Sequence, residues 1–221
     1  MLFPPLFRII TLILEKNFKY LLKSFFPTYL TGEYHDCFVR YTKSSNISPI
    51  VSLKTYQIVG CNLEGINFAY TDLSGCVIRK SLFRSARFNN ALLSGTYADQ
   101  CDFTGSNFQK ADLKNIDFSY SNLSGCDFRN SRLNGANLSN SKLNGADLRG
   151  AKIEKITLDN AKMYNCKIDI MQMRGLGIKE IVKYEIEVYE MNKKLTMEEI
   201  EVKYKELNPV SYAIWKREPL S

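Results

Sequence analysis

The sequence predicts an all-β solenoid, a square β-helix of about six coils, preceded by a helical N-terminal segment and followed by a mixed strand and helix cap. Three observations carry this. An apolar residue recurs at every fifth position. Gly or Asn recurs two residues after it. Phenylalanine recurs at intervals of twenty.

Every fifth residue from Leu53 to Met173 is apolar, 25 successive positions without a slip of phase. A period of five matches neither the 3.6 of an α-helix nor the 2 of a strand. It matches a short extended piece followed by a corner. Two residues before each centre the side chain is small, as at Ala86, Ser106, Ala111, Ser131 and Ala146. Two residues after it, ten of the 12 glycines of the chain are found, with Asn90, Asn115, Asn130, Asn140, Asn160 and Asn165 in the same slot. Gly and Asn tolerate positive φ, so each unit is expected to end in a tight turn. Phe68, Phe88, Phe108 and Phe128 recur as one stacked column would, which closes a coil after four units. At the inter-strand spacing of about 4.8 Å, the coils make a rod roughly 30 Å long.

Units such as Ala111-Asp112-Leu113-Lys114-Asn115, Ala136-Asn137-Leu138-Ser139-Asn140 and Ala146-Asp147-Leu148-Arg149-Gly150 resemble the A-(D/N)-L-x-x consensus of pentapeptide repeat proteins. The resemblance covers residues 51–175 and implies that family's right-handed quadrilateral β-helix. Residues 1–50 and 176–221 fall outside it and read as an N-terminal cap with a linker and as a C-terminal cap.

A β-helix must cover its end coils, which otherwise expose apolar stacks and unpaired backbone groups. Residues 6–26 carry a helical stripe of Leu6, Ile9, Ile10, Ile13, Leu14, Phe18, Leu21, Leu22 and Phe25, with Arg8, Lys16, Lys19 and Lys23 on other faces. That helix packs on the rod end or on a second copy of the chain, or lies on an anionic membrane. Asp36 to Tyr41 reads as a strand and Ser44 to Pro49 as a linker. Beyond Gly175 and Gly177 the five-residue phase stops. Val182, Tyr184, Ile186 and Val188 alternate with Lys and Glu, which favours a strand over a helix by a small margin. Thr196 and Glu199 match a capping box ahead of Met197, Ile200, Tyr204 and Leu207, and Asn208-Pro209 ends that helix. Trp215 in the polar tail reads as a docking anchor.

Composition removes several kinds of chemistry. The single histidine, His35, rules out multi-histidine metal sites and weakens every Ser/His/Asp or Cys/His arrangement. Five of the six cysteines, Cys61, Cys76, Cys101, Cys126 and Cys166, differ by multiples of five and have no C-x-x-C partner. They read as small buried thiols in a reducing compartment rather than zinc ligands or disulfides. Asp72, Asp102, Asp112, Asp117, Asp127 and Asp147 occupy the consensus slot before the centre, so they are expected to be solvated or bonded to backbone rather than catalytic. No phosphate-binding loop or nucleophile elbow is present, and no enzyme, cofactor or metal is expected. The N-terminus has no basic residue before its apolar stretch and no apolar run near 20 residues, so neither a Sec signal peptide nor a membrane span is read. The expected location is the bacterial cytoplasm, or a host cell reached by another secretion route.

The chain has 30 Lys and Arg against 23 Asp and Glu, a formal charge of +7. Folding the sequence into coils of twenty places Arg149 over Arg129 and Lys152 over Arg132, two columns flanking one corner. These four residues are the candidate contact for an acidic protein partner, since stacked like charges are destabilising unless something uses them. Lys142 and Lys162 form a second like-charge column on another side. Nucleic acid is disfavoured because the corner lacks interleaved exposed aromatics.

The resemblance implies a surface that binds proteins. Some pentapeptide repeat proteins protect type II topoisomerases by resembling DNA, which needs an acidic rod, whereas residues 51–175 hold 16 basic and 11 acidic residues. Others are effectors injected into host cells. The expected function is a non-enzymatic interaction scaffold, with secreted effector and topoisomerase protection as the alternatives.

Overall fold

The computed structural model describes residues 57–174, 176, 178–209 and 211–212. The expected N-terminal helix over 6–26, the strand over 36–41, the linker over 44–49, His35, Cys37, Trp215 and the glycines at 175 and 177 lie outside the described residues.

The backbone pairs with itself in parallel at an offset of twenty. Strands β1 (Gln57–Val59), β2 (Val77–Arg79) and β3 (Tyr97–Asp99) lie side by side, with Gln57 opposite Val77 and Val77 opposite Tyr97. Single-residue bridges continue the same offset from Asn62↔Leu82 to Asp147↔Lys167. Each run of twenty residues is thus one coil, and its four pentapeptides are four faces.

The apolar centres fill the interior. Phe83, Phe88, Phe103, Phe108, Phe118 and Phe128 are fully buried. The column expected from the spacing of twenty is present, with ring centroids 5.5 Å apart for Phe68–Phe88, 4.8 Å for Phe88–Phe108 and 5.1 Å for Phe108–Phe128. A second stack joins Phe83 and Phe103 at 5.0 Å. Beyond Phe128 the first column continues with Leu148 and Ile168, also buried.

The turn slot is left-handed throughout. All 22 positions from Gly60 to Asn165 at five-residue intervals have φ between +49° and +72°, and 13 of them are not glycine. Tyr70, Lys80, Lys110, Tyr120 and Lys155 are held there despite their β-carbons, so the coil geometry overrides local preference.

The two slots before the centre also have specific chemistry. In the small slot, several hydroxyls and thiols donate to the carbonyl 23 residues earlier: Thr96 to Leu73 (2.8 Å), Ser106 to Phe83 (2.6 Å), Ser121 to Ala98 (2.8 Å), Cys126 to Phe103 (3.0 Å) and Cys166 to Leu143 (2.8 Å). Serine and cysteine interchange there because both are small and both donate. In the next slot, an Asp or Asn Oδ1 accepts the backbone N–H two residues on, at Asn62, Asn67, Asp72, Asp102, Asn107, Asp112, Asp117, Asn122, Asp127, Asn137 and Asp147. These Asx turns help bend each unit into its corner.

At the C-terminal end the repeat gives way to other elements. Strand β4 (Lys167–Asp169) pairs in parallel with β5 (Glu187–Glu190), so Val188 returns to the five-residue phase twenty residues after Ile168. Between them lie a 3-10 helix, Ile170–Arg174, and helix α1, Ile178–Lys183. The strand expected from Val182 through Val188 is therefore corrected. Its alternation is a composite of two elements: Ile181 in α1 is buried, Val182 and Tyr184 are only partly covered, and Ile186 precedes β5, which holds Val188. Strand β6 (Lys193–Lys194) adds antiparallel to β5. Helix α2 (Met197–Leu207) starts at the expected capping box, with the Glu199 N–H donating to Thr196 Oγ1 (3.3 Å) and the Thr196 N–H to Glu199 Oε2 (2.9 Å). Asn208 caps its far end.

One residue of this region was not foreseen from the sequence. Gln172, 8% exposed, donates from Nε2 to the carbonyls of Leu148 (2.7 Å) and Ala151 (2.8 Å), while its Oε1 accepts from the Asp169 N–H (2.7 Å). Its amide supplies the donors that another coil would have supplied, and its outward slot in the repeat gave no sign of this.

Candidate interaction surface

The four residues selected from the sequence are brought together as expected. Arg132 bridges directly to Lys152, and the Asn130 N–H donates to the Arg149 carbonyl (3.1 Å), so the Arg129 and Arg149 units stack. Their charges, however, are distributed among the rod's own carboxylates. Arg129 holds Asp127 (Nη2–Oδ2 2.6 Å) and approaches Asp147 (3.8 Å). Arg149 holds Asp147 (2.6 Å) and lies over the Tyr189 ring at 4.6 Å. Arg132 faces Asp112 at 3.6 Å. Lys152 has no carboxylate in ion-pair range among the described residues.

The protonation equilibria follow this geometry. Hydrogen bonding to Asp127 raises Arg129, and hydrogen bonding to Asp147 raises Arg149, above the ordinary arginine value. Burial alone would raise the Asp127 carboxyl. Hydrogen bonds from Arg129 and Gln109 outweigh it and hold Asp127 below the usual carboxylate range. The corner is a lattice of alternating charge rather than a block of one sign.

A different face carries unneutralised cations. It runs through the centres Leu63, Phe83, Phe103, Leu123, Leu143 and Met163. Lys142 and Lys162 are bridged neighbours on it, both exposed, and no carboxylate pairs with either among the described residues. Tyr164, 44% exposed, follows Lys162 and meets Tyr184 edge-on at 5.3 Å, with Lys183 Nζ over the Tyr184 ring at 5.0 Å. Tyr120 stands at the corner that opens this face, 63% exposed and with φ +58°. The lysine column was visible in the sequence. Tyr120 was missed, because a turn slot dominated by Gly and Asn hides a Tyr placed in it.

The side chains with chemistry of their own are occupied in building the fold. All six aspartates considered as acid or base groups accept backbone N–H bonds in the Asx turns described above. Asp99, 6% exposed at the end of β3, accepts from the Gln100 side-chain amide at 2.9 Å. The five described cysteines are buried; burial pushes Cys101 and Cys166 up to about 12 and Cys126 up as well, which keeps these three protonated donors. Among the described residues no group of His, Cys, Asp and Glu is placed to hold a metal ion, and no helix is long and apolar enough to cross a membrane.

Residues 98–173 match a family model described as a pentapeptide repeat region. Similar solved structures include QnrB1, a plasmid-mediated fluoroquinolone resistance protein (27% identity, TM-score 0.35, 53% of this chain and 67% of that one). They also include alr5209 from Nostoc PCC 7120 (24%, 0.30, 47% and 84%) and AT2G44920 from the thylakoid lumen of Arabidopsis thaliana (22%, 0.26, 52% and 63%). The chain spans 65% of the trypsin-treated QnrB1 chains, just under two thirds of their length. No curated protein sequence matches this one. These likenesses are partial: residues 98–173 carry a pentapeptide repeat region, and the offset of twenty and the left-handed turn slot run beyond them along the rod.

Proposed function

We propose that the protein is a non-enzymatic interaction scaffold, whose rod holds outward side chains in fixed columns for a protein partner to read. The observation that carries this reading is the unbroken register of twenty. It spaces surface groups about 4.8 Å apart along each face on a buried apolar core, so a partner meets a preorganised surface. The polar groups nearest to chemistry are spent on turns and coil-to-coil hydrogen bonds, in keeping with a structural rather than a catalytic use.

The corner of Arg129, Arg132, Arg149 and Lys152 fits a partner of mixed charge, because Asp112, Asp127 and Asp147 are interleaved with it. Lys152 and the outer edge of Arg132 are its available cations. Action on a host protein after secretion, and protection of a topoisomerase, are narrower forms of the same reading. The basic rod and its lack of an acidic face weigh against the second.

The test is photo-crosslinking of the full chain in bacterial and animal cells, with a photoreactive residue placed in turn on each of the four faces. Adducts with one protein concentrated on one face are expected. Adducts on no face in either cell type would overturn the scaffold reading.

A further inference from the structure

We infer that the face bearing Lys142 and Lys162 is a docking surface for an acidic segment of a protein partner. The inference rests on the scaffold reading above and names the face and the chemistry of what it takes. Three observations converge. Lys142 and Lys162 are stacked on adjacent coils with no carboxylate of the described residues in reach, whereas the arginines of the neighbouring corner are each paired. Two like charges in bridged positions repel, and an external carboxylate between them removes that repulsion.

Tyr120 supplies the second observation. Its backbone is left-handed at φ +58°, where a residue with a β-carbon is strained, and its side chain is 63% exposed with no ring contact among the described residues. Its column neighbours Asn140 and Asn160 meet the same turn with a residue suited to it. Packing does not explain the tyrosine. An exposed, rigid ring beside a cation pair is what protein interfaces favour.

The third observation is the shape of the face. Its turn column reads Gly105, Gly125 and Gly145, and the residues before those turns are Thr104, Ser124 and Asn144. Side chains this short leave a flat strip between Tyr120 on one side and Tyr164 at the far end, so an extended chain can lie against the coils.

The charge pattern along the face selects the partner. Toward the N-terminal end it carries Glu64 and Asp102, both engaged by Arg84, and its middle is neutral. A nucleic acid strand needs a continuous positive track, and an anionic membrane needs a broad one. A local pair of cations beside exposed tyrosines fits a short acidic stretch of polypeptide.

The experiment titrates a fluorescein-labelled peptide of alternating Glu and Gly into the full chain. The comparison variants are Lys142→Gln/Lys162→Gln, Tyr120→Asn and Lys114→Gln/Lys155→Gln on another side of the rod, with single-stranded DNA and phosphatidylserine vesicles as competing probes. Binding by the wild type is expected, weakened roughly tenfold or more by the double lysine change, and less by Tyr120→Asn. The Lys114 and Lys155 variant is expected to stay within about twofold. Tyr120→Asn relieves the backbone, so it should melt at least as high as wild type while binding less. Absence of binding, equal binding by the lysine variant, or preference for DNA or vesicles would overturn the proposal. Crosslinks to a protein on another face would do so while leaving the scaffold reading intact.

Discussion

From Phe68 to Phe128 seven of the thirteen apolar centres are phenylalanine, whereas from Leu133 to Met173 none is aromatic. The backbone does not register the change: the offset of twenty and the left-handed turns run through both halves. The surfaces do differ. The aromatic half carries many short polar side chains, while the aliphatic half carries the lysine columns and most of the arginine corner and joins the cap. The difference teaches that one lattice can be stabilised by different packing in different places, and that net positive charge is concentrated where the core is least aromatic.

The strongest test of this contrast replaces a central residue in each half. The Phe108 ring lies 4.8 to 5.7 Å from those of Phe88, Phe103, Phe118 and Phe128. Phe108→Ala is expected to cost about 4 kcal/mol or more and Leu143→Ala about 3 kcal/mol or less, measured by equilibrium urea unfolding. Equal losses would mean that the rings fill space without holding the aromatic half more tightly.

A smaller effect sharpens the contrast at the corners. Both Gly135 and Gly145 have positive φ, but a β-carbon at Gly145 meets open space, whereas one at Gly135 collides with the Asn115 side chain of the preceding coil. Gly145→Ala is expected to cost about 1 kcal/mol, and Gly135→Ala about 2 kcal/mol. Adding Asn115→Ala to the latter should recover the excess. If thermal melting shows no difference between the two glycines, neighbouring coils do not set the tolerance of the corner.

The smallest effect concerns Asp127. Its folded pKa lies below the unfolded value of about 3.9, so its stabilisation is complete above that value and fades as pH falls through the folded pKa. Asp127→Asn should therefore destabilise near neutral pH, by less than about 1 kcal/mol, as expected of a partly exposed pair. The melting temperatures of variant and wild type should converge in strong acid. A gap that persists at low pH would show that the effect does not come from the charge of Asp127.

The rod was legible in the sequence because its determinants are local and repeated. A centre such as Leu113, a small residue such as Ala111 and a turn residue such as Asn115 identify one another within five positions, and Phe88 and Phe108 set the coil length. Stacking of Arg129 with Arg149 and of Arg132 with Lys152 could be read in the same way. Their neutralisation was harder to see. It depends on Asp127 and Arg129 reaching the same side of one unit, and on Arg132 reaching back across a coil to Asp112. The cap was the least legible part, since Val182 and Val188 belong to different elements yet fall in one alternating string.

The end of the rod has a consequence for its assembly. Every layer of this molecule dictates the spacing and hydrogen bonding of the layer laid on it, much as a step on a crystal face dictates the next row of molecules. Such a step keeps accepting material until something blocks it. At Leu148 and Ala151 the blocker is the carboxamide of Gln172, tethered through the Asp169 N–H so that it occupies the two acceptors at once. Rod length is therefore governed there by a terminator as well as by the supply of repeats, and the same side chain withholds two carbonyls at the growing edge from a strand of another molecule.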